Sequence, residues 1–244
     1  MVTSYMLKFF LIILTGLLFT SCSSLYLPNV PNTPMLRNKG EFNVDGHIGL
    51  KGNISANAAY AFSDHIGIIF SGAYVDQVKD KRDFTSDFLE VGAGYFTTFG
   101  EQKERVLEIY GGFGFGNSRR VYKDLTFDGP VVTEIQDASL NKAFAQVNFS
   151  KNKKNDLRLF GSKFPLSYGT AIRVNYISMK DFTVNNINAP LENNVFIEPI
   201  FFTRMKVGKN LNLQYTSGSN FGLIKNENLK GGYTTLSFGI VYKM

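Results

Sequence analysis

Residues 40–51, GEFNVDGHIGLK, put Phe42, Val44, Ile48 and Leu50 on one side of an extended chain and Glu41, Asn43, Asp45 and His47 on the other. Successive side chains of a strand point to opposite faces, so this period of two predicts a strand with one apolar and one polar face. The pattern then hardly stops. Ile54, Ala56, Ala58, Tyr60 and Phe62 alternate with Asn53, Ser55 and Asn57, and Ile66, Ile68, Phe70 and Tyr74 follow after Ser63 and Asp64. Further runs carry Leu89, Val91, Ala93, Tyr95 and Phe99, then Leu107, Ile109, Phe113 and Phe115, then Ala143, Ala145, Val147 and Phe149. The series continues through Tyr168, Ile172, Val174 and Tyr176, through Val195, Ile197, Phe201 and Met205, and through Leu211, Leu213 and Tyr215. It ends on Leu236, Phe238, Ile240 and Tyr242.

This is an all-β pattern: 23 Phe, 12 Tyr and 23 Gly suit pleated, alternating segments, whereas helices use more Ala and Leu. The runs amount to about ten strands of the ~9 to 11 residues that a tilted membrane-crossing strand needs. The expected fold is an antiparallel, up-and-down, transmembrane-type β-barrel, and about eight or about twelve strands also fit the connections. Short turns are expected at residues 63–64, 100–103 and 208–210, and longer connections at 76–83, 119–139, 181–194 and 222–232, with partial extension of the flanking strands into 119–139 left open. A strand within residues 156–164 would also fit. Apolar side chains face outward on every strand in this reading, with charges inside. A soluble barrel or sandwich with its aromatic face inward produces the same alternation, so that alternative stays open.

Residues 6–24, MLKFFLIILTGLLFTSCSS, decide the compartment. Lys8 precedes an apolar and small run from Phe9 to Phe19, too short for a helical span but suited to a secretory signal. Small residues flank Cys22, the single cysteine, as at the cleavage site of a lipoprotein signal. Residues 1–21 are therefore expected to be a signal peptide. Residues 22–40, with Pro28, Pro31 and Pro34, are read as a lipidated tether, and 41–244 as the barrel.

Composition excludes several chemistries. One cysteine allows no internal disulfide, and with only His47 and His65 as histidines no metal centre or cofactor is expected. The net charge of +6 lies mostly in loops such as Lys151, Lys153 and Lys154, so no nucleic-acid partner is inferred. Residues 111–116, GGFGFG, lack the Lys-Ser/Thr of a phosphate loop, and in a strand such glycines serve close packing.

The C-terminal LSFGIVYKM, residues 236–244, resembles the last-strand signal of outer-membrane β-barrels, although Met244 stands where an aromatic is usual. Together with Cys22, the proline-rich stretch and residues 59–74, AYAFSDHIGIIFSGAY, the chain is similar to lipoprotein-type bacterial outer-membrane β-barrel proteins of unassigned function. The resemblance implies a lipid bilayer as partner, with other outer-membrane proteins as further partners. It also implies anchoring at Cys22 with the N-terminus on the periplasmic side. It says little about activity.

Two constellations carry the chemistry the polar face could perform. Asp45 and His47, two apart on one face, have the spacing of an acid-oriented imidazole, as in barrel enzymes that deacylate or acylate lipid A. Ser55, Ser71, Ser167 and Ser237 are the candidate hydroxyls. Glu90, Glu108 and Glu198 can meet Lys142, Arg173 and Arg204 inside the barrel, where charge pairing offsets burial. The expected role is non-enzymatic: structural, accessory or interaction through loops. The alternatives are a lipid-modifying enzyme and a tethered soluble barrel for an apolar ligand.

Overall fold

The structure, a computed structural model, describes residues 24–127, 129–152, 157–159 and 161–244. The signal segment and Cys22 lie outside the described residues. In chain order the strands are β1 (Phe42–Gly49), β2 (Ile54–Ala61), β3 (Ile66–Gln77), β4 (Arg82–Phe99), β5 (Arg105–Thr126), β6 (Gly129–Asn152) and β7 (Leu157–Leu159). They continue with β8 (Ser162–Phe164), β9 (Leu166–Val184), β10 (Ile187–Asn188), β11 (Asn193–Lys206), β12 (Leu211–Ser219), β13 (Phe221–Gly222) and β14 (Thr234–Lys243).

Ten of these close into an antiparallel barrel in the order β1-β2-β3-β4-β5-β6-β9-β11-β12-β14, and β14 pairs back onto β1 with Val44 opposite Tyr242 and Ile48 opposite Phe238. Closure leaves the sheet without a free edge, which matters most where no water can satisfy backbone groups. β10 and β13 are short additions at the rim, and β7 and β8 form a separate two-stranded hairpin. Among the described residues of 156–164 there is therefore no barrel strand.

The alternation sorts as the membrane-type reading requires. Phe70, Leu89, Val91, Ile109, Phe113, Phe115, Phe201 and Phe238 are all exposed on the outer face, while Asn43, Asp45, His47, Glu90, Glu108, Lys142, Arg173 and Glu198 are buried inside. The alternative of an inward aromatic face is thereby overturned. Along β5 the apolar outer positions run from Leu107 to Phe115, eight steps or about 27 Å of strand. With a tilt near 40° this gives a band of roughly 20 Å, close to the ~25 Å apolar height of such barrels.

Over residues 119–139 the extension of the flanking strands goes much further than a long connection would allow. β5 runs on to Thr126 and β6 starts at Gly129, with Thr126 Oγ1 donating to Gly129 O at 2.6 Å across the tip. Beyond Phe115 the outward positions turn polar: Asn117 and Arg119 on β5 stand beside Ser139 and Asp137 on β6. Charge at outward positions reads as loop in sequence, but here it marks a β-ribbon projecting past the apolar band.

The larger correction concerns residues 24–40. A tether would be solvated, yet residues 25–36 are buried almost without interruption inside the barrel. Three prolines remove backbone donors and keep the segment from joining the sheet, so it threads the lumen as an irregular, extended filler.

Candidate functional site

Among the described residues, the buried charged and polar side chains gather in the filled lumen. Its geometry follows from two fixed ends. At one end Gly40 N–H donates to Ala61 O at 2.8 Å and Phe42 N–H to Met244 O at 3.1 Å, so the entry to β1 and the C-terminus lie together. At the opposite end Leu25 N–H donates to Asn228 O at 2.8 Å and Lys230 N–H to Ser24 Oγ at 3.1 Å. Residues 226–229 belong to the connection between β12 and β14, which folds over that end of the lumen. Glu192 holds it there, accepting the N–H of Glu227, Asn228 and Leu229 at 3.1, 3.0 and 2.7 Å.

Between these ends the segment matches the barrel wall in polarity. Leu25 and Tyr26 enter an apolar cluster with Val75, Phe84, Phe88, Leu140, Ile177, Phe196 and Leu229. Leu36 enters a second one with Ile69, Phe96, Tyr110 and Phe144. Asn29, Asn32 and Thr33 lie between, facing the buried polar residues. Each large apolar side chain so buried is worth ~1.5–3 kcal/mol relative to exposure.

The central ion cluster joins three of the charges expected from sequence. Glu90 Oε2 accepts from Arg173 Nη1 at 2.8 Å, and its Oε1 lies 2.7 Å from Lys142 Nζ. The latter approach is off the hydrogen-bonding direction, so it is a Coulombic contact first. Arg173 Nε donates to Gln146 Oε1 at 2.7 Å, and its guanidinium lies 4.4 Å from the Phe144 ring centroid. Glu198 is joined at second hand: Tyr26 OH donates to Glu198 Oε1 and accepts from Lys142 Nζ, both at 2.9 Å. Asn29 Oδ1 accepts from Lys142 at 3.2 Å and from Arg173 at 3.4 Å. Two carboxylates and two cations leave this cluster with no net charge.

Glu108 and Arg204 stand apart from it. Glu108 accepts from Leu36 N–H at 3.0 Å, Asn148 Nδ2 at 3.1 Å and Tyr110 OH at 3.2 Å. Arg204 donates to Gln214 Oε1 at 2.8 Å and to Thr33 O at 2.7 Å. Both therefore grip the threaded segment rather than an opposite charge. Asp45 Oδ1 lies 2.9 Å from His47 Nε2 and accepts from Asn57 Nδ2 at 2.7 Å. The pair is together, but it is buried toward the lumen and on the far side of the wall from the apolar band.

The glycine run on β5 has its explanation here. Gly112 and Gly92 face inward under Phe144, where an added Cβ would lie 2.6 and 2.9 Å from its Cζ. Phe113 and Phe115 point outward.

No protein-family model matches the chain, and no curated protein matches it in sequence. Among solved structures, those it is similar to include the following. The translocator domain of autotransporter NalP from Neisseria meningitidis is 12% identical over 83% of this chain and 86% of that one, with a TM-score of 0.44. The KdgM porin is 13% identical over 83% and 98%, with a TM-score of 0.32. The NanC porin is 8% identical over 82% and 97%, with a TM-score of 0.27.

Sequence reasoning missed Tyr26, Asn29, Asn32 and Gln146. One signal was available: a solvated tether has no reason to carry Leu25, Tyr26, Leu27, Val30, Met35 and Leu36 among its prolines.

Proposed function

We propose that the chain is an outer-membrane β-barrel lipoprotein, acylated at Cys22, with a structural, accessory or loop-mediated interaction role and a lumen closed by its own N-terminal segment. The observation that carries this reading is the pairing of an apolar outer band with a lumen filled from residue 25 to residue 36. Exposed apolar side chains on this scale need lipid around them. A lumen packed with Tyr26, Asn29 and Leu36, and neutral at its ion cluster, offers neither a water path nor a selective field, so the barrel is not a pore at rest. Its available contacts for protein partners are the ribbon tip at residues 126–129 and the rim connections.

The reading is non-enzymatic. Asp45 and His47 face the lumen, away from any acyl chain in the bilayer, so His47→Ala is expected to leave the membrane lipid profile unchanged. The test of the whole reading combines four measurements. The protein should fractionate with the outer membrane and shift in gel mobility on heating, and the full chain should give no steady conductance in planar bilayers. A spin label at Val91→Cys should be quenched by lipid-soluble oxygen. Recovery as a soluble protein, or a large constant conductance, would refute it.

A further inference from the structure

We infer that this chain displays its own amino-terminal end on the outer surface: the segment crosses the membrane inside the lumen, and whatever precedes Ser24 stands at the far end from the barrel's termini. This rests on the outer-membrane reading above.

The crossing itself is read from both ends of the segment. Gly40 and Phe42 are tied to Ala61 and Met244 at one end, and Ser24 and Leu25 to Asn228 and Lys230 at the other. Residues 25–40 can extend by at most ~3.3–3.6 Å each, about 50 Å in all, which exceeds an apolar band of ~25 Å with slack for an irregular path. Contacts occur along its whole course. Tyr26 meets Glu198, Asn32 Nδ2 donates to Ala58 O at 2.8 Å, Thr33 O accepts from Arg204, and Leu36 N–H meets Glu108. The segment is thus a transmembrane element without being a strand.

The sidedness comes from the asymmetry of the barrel. At the end where Ser24 emerges, β5 and β6 continue past Phe115 to the tip at Thr126 and Gly129, with Asn117, Arg119, Asp137 and Ser139 facing water. At the other end three connections are short turns, 62–65, 100–104 and 207–210, close to the apolar band, and the fourth, between β6 and β9, is longer and carries the small β7–β8 hairpin rather than an extension of the barrel wall. Barrels of this type keep short turns on the periplasmic side and longer excursions outside. The projecting ribbon therefore marks the outside, and Ser24 leaves the lumen on that same side. The exit is built rather than open. Asn194 Nδ2 donates to Leu229 O at 2.6 Å and Glu192 binds three backbone N–H groups, so residues 226–229 form a fixed collar around Ser24 and Leu25.

This reverses the periplasmic N-terminus expected from the sequence. Cys22 stands two positions before Ser24 in the chain. Its acyl chains would accordingly enter the outer leaflet, and the lipid surface they meet is the one beside the ribbon.

The test uses the full-length protein in intact and permeabilised cells. One variant carries an epitope between Ser23 and Ser24, and another carries it at the Thr126–Gly129 tip. Antibody should bind both on intact cells. If the tip tag binds on intact cells and the N-terminal tag only after permeabilisation, the inference is overturned while the membrane reading stands. If both need permeabilisation, the barrel sits the other way round and the inference is also overturned. Recovery outside the outer-membrane fraction would remove the membrane reading and this inference with it. Because insertions can block assembly, Ser24→Cys and Lys39→Cys provide a second measurement with a membrane-impermeant maleimide, with the unmodified chain labelled alongside to set the Cys22 background. Ser24→Cys should gain label on intact cells and Lys39→Cys only after permeabilisation; the reverse order overturns the inference.

Discussion

Tyr26 and Glu198 are 172 residues apart in the chain and share a buried 2.9 Å hydrogen bond inside the barrel. The phenol serves two masters, donating to Glu198 and accepting from Lys142. Tyr26→Phe keeps the ring against Phe88 and Phe196 but leaves a buried carboxylate without this donor. Losing a hydrogen bond to a buried charged group costs about 1–3 kcal/mol. Tyr26→Ala adds a cavity and should cost about 3–5 kcal/mol. Urea unfolding in detergent micelles, followed by gel mobility, should rank the variants in that order. Equal stability of Tyr26→Ala and the parent would mean the segment is not seated.

Glu90 is the sole carboxylate in direct contact with both Lys142 and Arg173 among the described residues. Glu90→Gln leaves the cluster with one uncompensated positive charge and both cations without their direct partner, and breaking such a pair from one side costs about 3–5 kcal/mol. Replacing the carboxylate and Lys142 together, as Glu90→Gln with Lys142→Met, should recover a substantial part of that loss. A double-mutant cycle on midpoint denaturation measures the recovery. Strictly additive losses would show that the cluster is not a coupled unit.

How much of this was legible in the sequence differs between the two faces of the wall. Outward residues such as Val91 and Phe113 repeat strand after strand because the lipid is the same everywhere, so a period of two suffices to read them. Inward residues answer to one particular neighbour each. Arg204 was grouped with carboxylates by its charge, yet its partners are Gln214 and a backbone carbonyl of Thr33. That assignment depends on where residue 33 lies, and the prolines that made residues 28–34 read as a tether also suit a filler that must not pair with the sheet. The Asp137 and Arg119 positions were lost for a different reason. An outward charge contradicts a membrane strand, but not a strand that has already left the membrane.

Above the band, Lys123 Nζ donates to Asp83 Oδ1 at 2.6 Å, and Lys79 N–H donates to the same oxygen at 3.2 Å. The hydrogen bond from Lys123 holds the Asp83 carboxyl below its ordinary range; desolvation opposes it, and the Lys79 N–H and the Lys123 charge act in the same direction as that bond. A carboxyl depressed in the folded state contributes stability above its unfolded pKa of ~3.9 and loses it as pH falls through the folded value. The base of the ribbon should therefore be indifferent to pH across the neutral range and loosen only in acid. Lys123→Met should raise the Asp83 midpoint, as read by NMR titration of its carboxyl carbon. An unchanged midpoint would separate the two groups in solution.

Phe113 and Phe127 lie on the same strand-and-tip unit, one within the apolar band and one at the ribbon tip, and both side chains are exposed. Their surroundings differ only if lipid covers the first. A lysine on the lipid face near the midplane costs about 2–4 kcal/mol, falling to about 0–1 toward the interfaces. Phe113→Lys should accordingly lower folding stability in lipid vesicles by about 2–4 kcal/mol, while Phe127→Lys, beyond the band, should change it by less than about 0.5 kcal/mol. Neither position touches the threaded segment, so the contrast isolates the outer face from the lumen. Were the barrel a soluble one, both lysines would point into water and both variants would match the parent. A penalty at Phe113 alone would fix the height of the membrane on β5 and leave the Asn117 to Thr126 stretch outside it.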